Sequence, residues 1–410
     1  MLLPSILNAI GVLFLILLPL ISALSSSDSS KNVKSNSQLL QQGEGSRRRF
    51  NQDLALSSIC GFALRCDARE CDEHVSGVSQ VDCQIQEIAY ATLSLAIPNF
   101  DCSIPVAMWF PTKDSDVTSK TTSEVRYIHR ISVKRIGGLL AAWDFIPEFV
   151  SRDFAFEPSI DTLSSPIPKA EGCNVVFFAH GYLGSRFDLS HIAEALAMEG
   201  FVCISPEYPE SLAASYARQE GLDRSIINEH LLSYVQKSFR PVSYAGIGHS
   251  LGCGTILRMG DDSWTRVIMA GRAPAVSSSP LLFISSTNDC TVRFGGPLEI
   301  PTCYSILSES ELPLNHIPPF SALIFDRPDG PNHISYLSEN VNEAMTSFLS
   351  PLLPLAQAFS IPVLDFDKYQ KSRDSRATAE IVQPLISSFL AQHTNSKVQL
   401  SSSRRQQKYS

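Results

Sequence analysis

From residue 174 onward the chain alternates short, mostly apolar runs with longer segments of mixed polarity. Val175–Ala179, Phe201–Ser205, Ser243–Ile247, Thr265–Ala270, Leu281–Ser285 and Ala322–Phe325 are dominated by apolar residues and, Arg266 apart, carry no charged side chain, so each reads as a strand covered on both faces. The segments between them read as helices. Strands and helices in that alternation predict the α/β class, a mostly parallel sheet with helices on both faces. Upstream, Ser103–Phe110 and Val125–Ile136 read as earlier strands, antiparallel. Ser211–Phe239 is a long, mostly helical excursion that mixes Glu and Arg with apolar residues. Phe348–Val363 is apolar but broken by Pro351, Pro354 and Pro362, and suits core packing or, alternatively, a lipid pocket or membrane surface. Ala379–His393 reads as a last helix, followed by a basic, disordered tail over 394–410.

The N-terminus has a different character. Ile10–Leu24 is an apolar run broken by Pro19, too short for a spanning helix and of the length of a signal-peptide core. Residues 25–50 are rich in serine and poor in acids, which suits a transit-like address to a plastid behind the secretory membranes, or a disordered linker in a secreted or lumenal protein. Residues 1–50 are therefore set apart from the fold. Cys60, Cys66, Cys71, Cys83 and Cys102 cluster in the extension over 51–102 and, with a secretory address, predict one or two disulfides. Cys203 and Cys253 fall in buried elements and read as free, small hydrophobes. The catalytic domain is expected over 103–393, since 410 residues at 44% hydrophobic content suit one large core and its ends.

The net charge of −8 argues against nucleic acid as a partner. No zinc-ligand spacing and no phosphate-binding glycine loop is present, and the chemistry below needs no cofactor.

That chemistry centres on Gly248-His249-Ser250-Leu251-Gly252, which lies between a strand and a helix. A serine at so sharp a turn is pushed out of the sheet with its hydroxyl exposed, and the flanking glycines relieve the crowding. The implied step is attack on a carbonyl carbon. The strand Asn174–Ala179 runs into His180-Gly181-Tyr182-Leu183-Gly184, a loop able to supply one oxyanion amide while the residue after the nucleophile supplies the other. Those amides belong to Tyr182 and Leu251; His180 is expected to shape the loop. An acid and a base should follow Ser250 in that order. Asp289 lies just past the strand Leu281–Ser285, and His333 ends the turn-rich loop Asp326–Asn332. Asp326 and Asp329 are the competing acids. Asp289 is preferred because it comes from the neighbouring strand and can approach His333 from the side.

Over residues 100–393 the chain resembles the α/β-hydrolases, and within them the platelet-activating-factor acetylhydrolases and their dienelactone-hydrolase-like relatives. The matching stretches are Ile104–Pro111, His180–Gly184, Ile192–Val202, the elbow at Ser250 and Leu364–Tyr369. The His-Gly-Tyr-Leu loop also resembles chlorophyllases. The resemblance implies that Ser211–Phe239 is a cap over the site. In both groups the acid usually follows the strand directly after the nucleophile helix. Here that strand leads into Gly271-Arg272-Ala273-Pro274, without a carboxylate, so the acid sits one strand later. The expected activity is hydrolysis of a lipid-like carboxylic ester, with peripheral membrane contact as one possibility. A chlorophyllase-like hydrolase, an acyltransferase and an inactive binding protein on the same scaffold are the alternatives.

Overall fold

The computed structural model describes residues 87–394 except 113–124, 133, 136–150, 169–170, 213–218, 276, 290, 292–297 and 350–371. The leader, the serine-rich segment, Cys60, Cys66, Cys71, Cys83 and Cys290, nearly all of Phe348–Val363 and the basic tail lie outside the described residues. All described residues belong to one compact unit, Asn51–Ser410.

The chain runs β1 (Glu87–Ile97), β2 (Cys102–Thr112), β3 (Tyr127–Ser132), β4 (Ser151–Phe156), β5 (Thr162–Ser164), β6 (Asn174–Ala179), α1 (Ser190–Met198) and β7 (Phe201–Pro206). It continues through α2 (Arg224–Phe239), β8 (Ser243–His249), α3 (Leu251–Arg258), β9 (Thr265–Met269), β10 (Leu281–Ser286), β11 (Ser305–Leu307), β12 (Phe320–Phe325), α4 (Glu339–Leu349) and α5 (Ser375–Thr394).

All six runs read as buried strands pair parallel in one sheet, whose order is β11-β12-β10-β9-β8-β6-β7-β2-β1-β5. Strand β2 is antiparallel to both its neighbours. The two sheet faces are both covered, as near-continuous apolar strands require. Along β6, Val176 and Phe178 pack with Ile192 and Leu196 of α1 and Leu385 and Phe389 of α5. The alternate residues Val175 and Phe177 pack with Ile227, Leu231, Val235 and Phe239 of α2. A parallel sheet with one antiparallel second strand, helices on both faces and an elbow after its central strand is the α/β-hydrolase fold.

The early strands differ from their sequence reading. Strand β2 pairs with β1, a strand inside the extension over 51–102, so the limit set at residue 103 falls inside a hairpin. Strand β3 is shorter than Val125–Ile136 and pairs with β4 in a separate two-stranded sheet. The cap reading also changes. Residues 213–218 lie outside the described set, and α2 buries its apolar side on the sheet instead of standing over the site.

Cys102, Cys173, Cys203, Cys253 and Cys303 are free thiols, Cys203 and Cys253 being buried as expected. Cys102, at the head of β2, therefore takes no part in a disulfide.

Strand order sets the location of the site. The chain leaves β6 for β7 on one side and returns to β8 on the other, so the loops after β6 and β8 diverge and open a crevice at the carboxyl ends of the strands. The register of β6 and β8 pairs Ala179 with Gly248, which brings the His180–Gly184 loop level with Ser250.

Candidate active site

Ser250 sits at φ 56 and ψ −119, a backbone conformation rare for a residue with a side chain. Such a residue stores about 1–3 kcal/mol, which the surrounding packing must hold. The Ser250 amide donates to the Met269 carbonyl of β9 at 2.9 Å. The two flanking glycines are sterically required. A Cβ on Gly248 would lie 2.6 Å from the Gly252 carbonyl oxygen, and one on Gly252 would lie 1.9 Å from that of Ala179.

His333 stands beside this serine, its Nε2 2.9 Å from the Ser250 hydroxyl oxygen. Its Nδ1 is 2.8 Å from Oδ2 of Asp289, which is fully buried. The other carboxylate oxygen accepts the Thr291 amide at 3.0 Å. An ionised carboxylate only accepts, so the imidazole proton resides on Nδ1 and Nε2 is left as the acceptor facing Ser250. Asp326 is exposed, and Asp329 is exposed and 3.7 Å from Arg373. The carboxylate bonded to His333 is that of Asp289.

Three side chains without chemistry of their own hold this geometry. Asn288, next to Asp289, donates through Nδ2 to the carbonyls of Arg327, Pro328 and Gly330 at 2.9, 3.0 and 3.2 Å. It ties the loop of Asp289 to that of His333. Asn332 Oδ1 accepts the amides of Ile334 and Ser335 at 2.9 and 3.0 Å, which fixes the turn carrying His333. His249 donates from Nε2 to the His333 carbonyl at 2.8 Å, and burial pushes its pKa down to about 3, so it stays neutral.

The loop after β6 is pinned from beneath. Burial, reinforced by the Arg224 cation, lowers the His180 pKa to about 3. Its Nε2 accepts the Tyr208 amide at 3.0 Å, so the proton lies on Nδ1, which donates to the Gly181 carbonyl at 2.8 Å. His180 therefore shapes the loop, as its position in the sequence suggested. Arg224, the first residue of α2, is 7% exposed and reaches the same loop. It donates to the His180 carbonyl at 2.8 Å, the Gly181 carbonyl at 3.3 Å and the Thr255 hydroxyl at 3.2 Å, and pairs with Glu210 at 3.1 Å. Leu183, at φ 63, donates its amide to the Glu210 carbonyl. The side chains of Tyr182 and Leu251, in the two loops that meet at Ser250, are exposed, at 43% and 42%.

Sequence reasoning missed Asn288, Asn332 and Arg224. The asparagines sit in turn-rich loops where either is unremarkable, and Arg224 lies 43 residues past Gly181 with no local signal. Among the described residues no group of His, Cys, Asp and Glu is placed to hold a metal ion, and no helix is long and apolar enough to cross a membrane.

No family profile and no curated protein matches the chain. Solved structures similar to it include a ferulic acid esterase from Streptomyces cinnamoneus, 12% identical, covering 76% of this chain and 91% of that one at a TM-score of 0.40. A dienelactone hydrolase from Anabaena variabilis is 14% identical over 64% of this chain and 96% of its own, at 0.32. An S-formylglutathione hydrolase from Staphylococcus aureus is 11% identical with the same coverages, at 0.31. The fold assignment rests on the chain's own strand order and elbow.

Proposed function

We propose that this chain is a serine carboxylic-ester hydrolase that works through an acyl-enzyme. The observation that carries the reading is the continuous relay from Asp289 through His333 to Ser250, at 2.8 and 2.9 Å, with its serine held in a strained turn. In this reading Ser250 attacks the ester carbonyl and His333 Nε2 takes the hydroxyl proton. Asp289 stabilises the imidazolium, and the amides of Tyr182 and Leu251 receive the oxyanion. Collapse of the intermediate expels the alcohol, protonated by His333. Water then enters, is deprotonated by the same nitrogen, and releases the acid.

The substrate we propose is an apolar, lipid-like ester, as platelet-activating-factor acetylhydrolases take. The support is the pair of exposed large side chains, Tyr182 and Leu251, in the two loops that meet at Ser250. The phytyl ester of chlorophyll is an ester of the same character and forms one arm of the test. We also propose that the enzyme acts after entry into the secretory pathway, on the strength of the apolar run Ile10–Leu24.

A fluorophosphonate probe should label the wild-type protein and leave Ser250→Ala unlabelled. Hydrolysis should then be compared over short-chain nitrophenyl esters, short- and long-chain phospholipids and chlorophyll. Ser250→Ala should fold normally and lose about 10⁶ in kcat, as nucleophile knockouts do. A purified variant that keeps more than about a tenth of the activity, a loss far below that range, would sink the assignment.

A further inference from the structure

We infer that Arg224 is a positioning residue for the oxyanion hole, acting through the carbonyl of Gly181 on the peptide whose N–H is that of Tyr182. The inference rests on the hydrolase reading and assigns a role within it to a residue outside the triad.

The carbonyl of Gly181 and the amide of Tyr182 are two ends of one planar trans peptide, so they point in opposite directions. Whatever fixes the oxygen fixes the N–H. Three donors fix this oxygen: His180 Nδ1 at 2.8 Å, Arg224 Nη2 at 3.3 Å and the Gly184 amide at 3.3 Å; of these only Arg224 carries a charge. The neighbouring peptide is fixed as well, because Arg224 Nη1 donates to the His180 carbonyl at 2.8 Å. The guanidinium is itself immobile. It lies over the Tyr208 ring at 4.3 Å, pairs with Glu210 and donates to Thr255. Glu210 closes the arrangement, since its carbonyl accepts the Leu183 amide at 3.2 Å on the far side of Tyr182.

The second effect is polarisation. A carbonyl that accepts hydrogen bonds draws electron density from its own N–H, which becomes a stronger donor. His180 is neutral, so the positive charge on this carbonyl comes from Arg224. A buried cation is a poor way to gain stability, because an apolar side chain of the same volume often serves as well. Here two of its partners are consecutive carbonyls of the oxyanion loop. The planar fork matters too: it spans both oxygens at once, which an ammonium cannot do in the same geometry.

The test uses the full chain with an ester that the wild type hydrolyses. Arg224→Met keeps the length and removes the charge and the fork; Arg224→Lys keeps the charge alone. Kinetics are expressed per active site by burst titration, and folding is checked by thermal melting. Arg224→Met should lose about 10- to 100-fold in kcat, less than deletion of a whole oxyanion donor, with KM within about threefold. A boronic acid that forms a tetrahedral adduct on Ser250 should bind more weakly by about the same factor as kcat/KM falls, because both report on the oxyanion. Arg224→Lys should lie between the two. A merely structural role would lower the melting point and the fraction of active sites and leave kcat per site and boronate affinity alone. A folded Arg224→Met with kcat per site within about twofold of wild type, against the larger loss expected of a weakened oxyanion donor, overturns the inference. Should that variant not fold, an Arg224→Lys protein of wild-type kcat overturns it equally. A wild-type protein inactive on every ester overturns the hydrolase reading and this inference with it; an active wild type with an unaffected Arg224→Met overturns this inference alone.

Discussion

Replacing Asp289 by Asn removes one negative charge without changing shape, and the surroundings dictate how the new amide must sit. Oδ1 of Asp289 accepts the Thr291 amide at 3.0 Å and Oδ2 faces His333 Nδ1 at 2.8 Å. In the variant the amide NH2 cannot face Thr291, because two donors would then meet in a buried site. The oxygen must stay there, and the nitrogen must take the place of Oδ2. His333 is then offered a donor, so its Nδ1 has to accept and its proton moves to Nε2. That proton points at the Ser250 hydroxyl, and the nitrogen that should receive the serine proton is blocked. Loss of the orienting carboxylate costs about 10⁴ in kcat in triads of this kind, or about 5 kcal/mol of transition-state stabilisation. Asp326→Asn should cost little, because its side chain is exposed and unconnected to the relay. The assay is kcat on one ester for wild type, Asp289→Asn and Asp326→Asn, with melting curves alongside. An Asp289→Asn protein retaining a tenth of the activity, or the larger loss appearing in Asp326→Asn, would refute the tautomer argument.

Gly181→Val should lose roughly 10²–10³ in kcat, the value of one oxyanion donor. A Cβ there already meets Ser250 Cβ and His249 Nδ1 at 3.1 Å, and the branched side chain needs more room on the side where a substrate approaches; normal kcat in a folded variant would place the hole elsewhere. Asp188→Asn addresses pH. Burial raises the Asp188 pKa from 3.8 to about 7, so between those values the folded chain keeps a proton that the unfolded chain has released. Its stabilising contribution is therefore complete below the lower value and lost as pH rises through the upper one. The stability of wild type relative to Asp188→Asn should fall by up to about 4 kcal/mol between those limits, measured by denaturant unfolding at several pH values. The depressed histidines His129, His180, His191 and His249 are common to both proteins and cancel in the difference, so a flat difference would show that Asp188 does not hold the proton.

The parallel strands were legible because burial on both faces leaves no polar alternation, and runs such as Asn174–Ala179 and Leu281–Ser286 have no other stable use. The elbow and the positions of Asp289 and His333 followed from chain order. Strand β1 was not legible. Its pattern mixes exposed Glu87, Thr92, Ser94 and Ala96 with buried Ile88, Leu95 and Ile97, and the cysteines before it suggested a separate, stapled module. Helix α2 was misjudged for a different reason. Its Glu and Arg residues look like those of a solvated cap, yet its apolar residues at Ile227, Leu231 and Val235 recur at helical spacing and belong to the sheet. Arg224 shows the limit of sequence reading most clearly, since a buried cation is defined by partners far away along the chain.

The β1–β2 hairpin also sets a floor on how far the N-terminus can be trimmed. Eleven residue pairs join β1 to β2 in continuous register, and β1 is what separates β2 from the short strand β5. Proteolytic maturation that stops before Glu87 leaves that ladder whole. A cut inside it would bare the hydrogen-bonding edge of β2, whose Val106, Ala107, Met108, Trp109 and Phe110 form an unbroken buried run. An unpaired edge of that composition is a template for joining another copy of itself. Expression boundaries drawn at residue 103, where the hydrolase-like pattern begins, would therefore yield insoluble protein, and the natural place to start a shortened chain is upstream of Glu87.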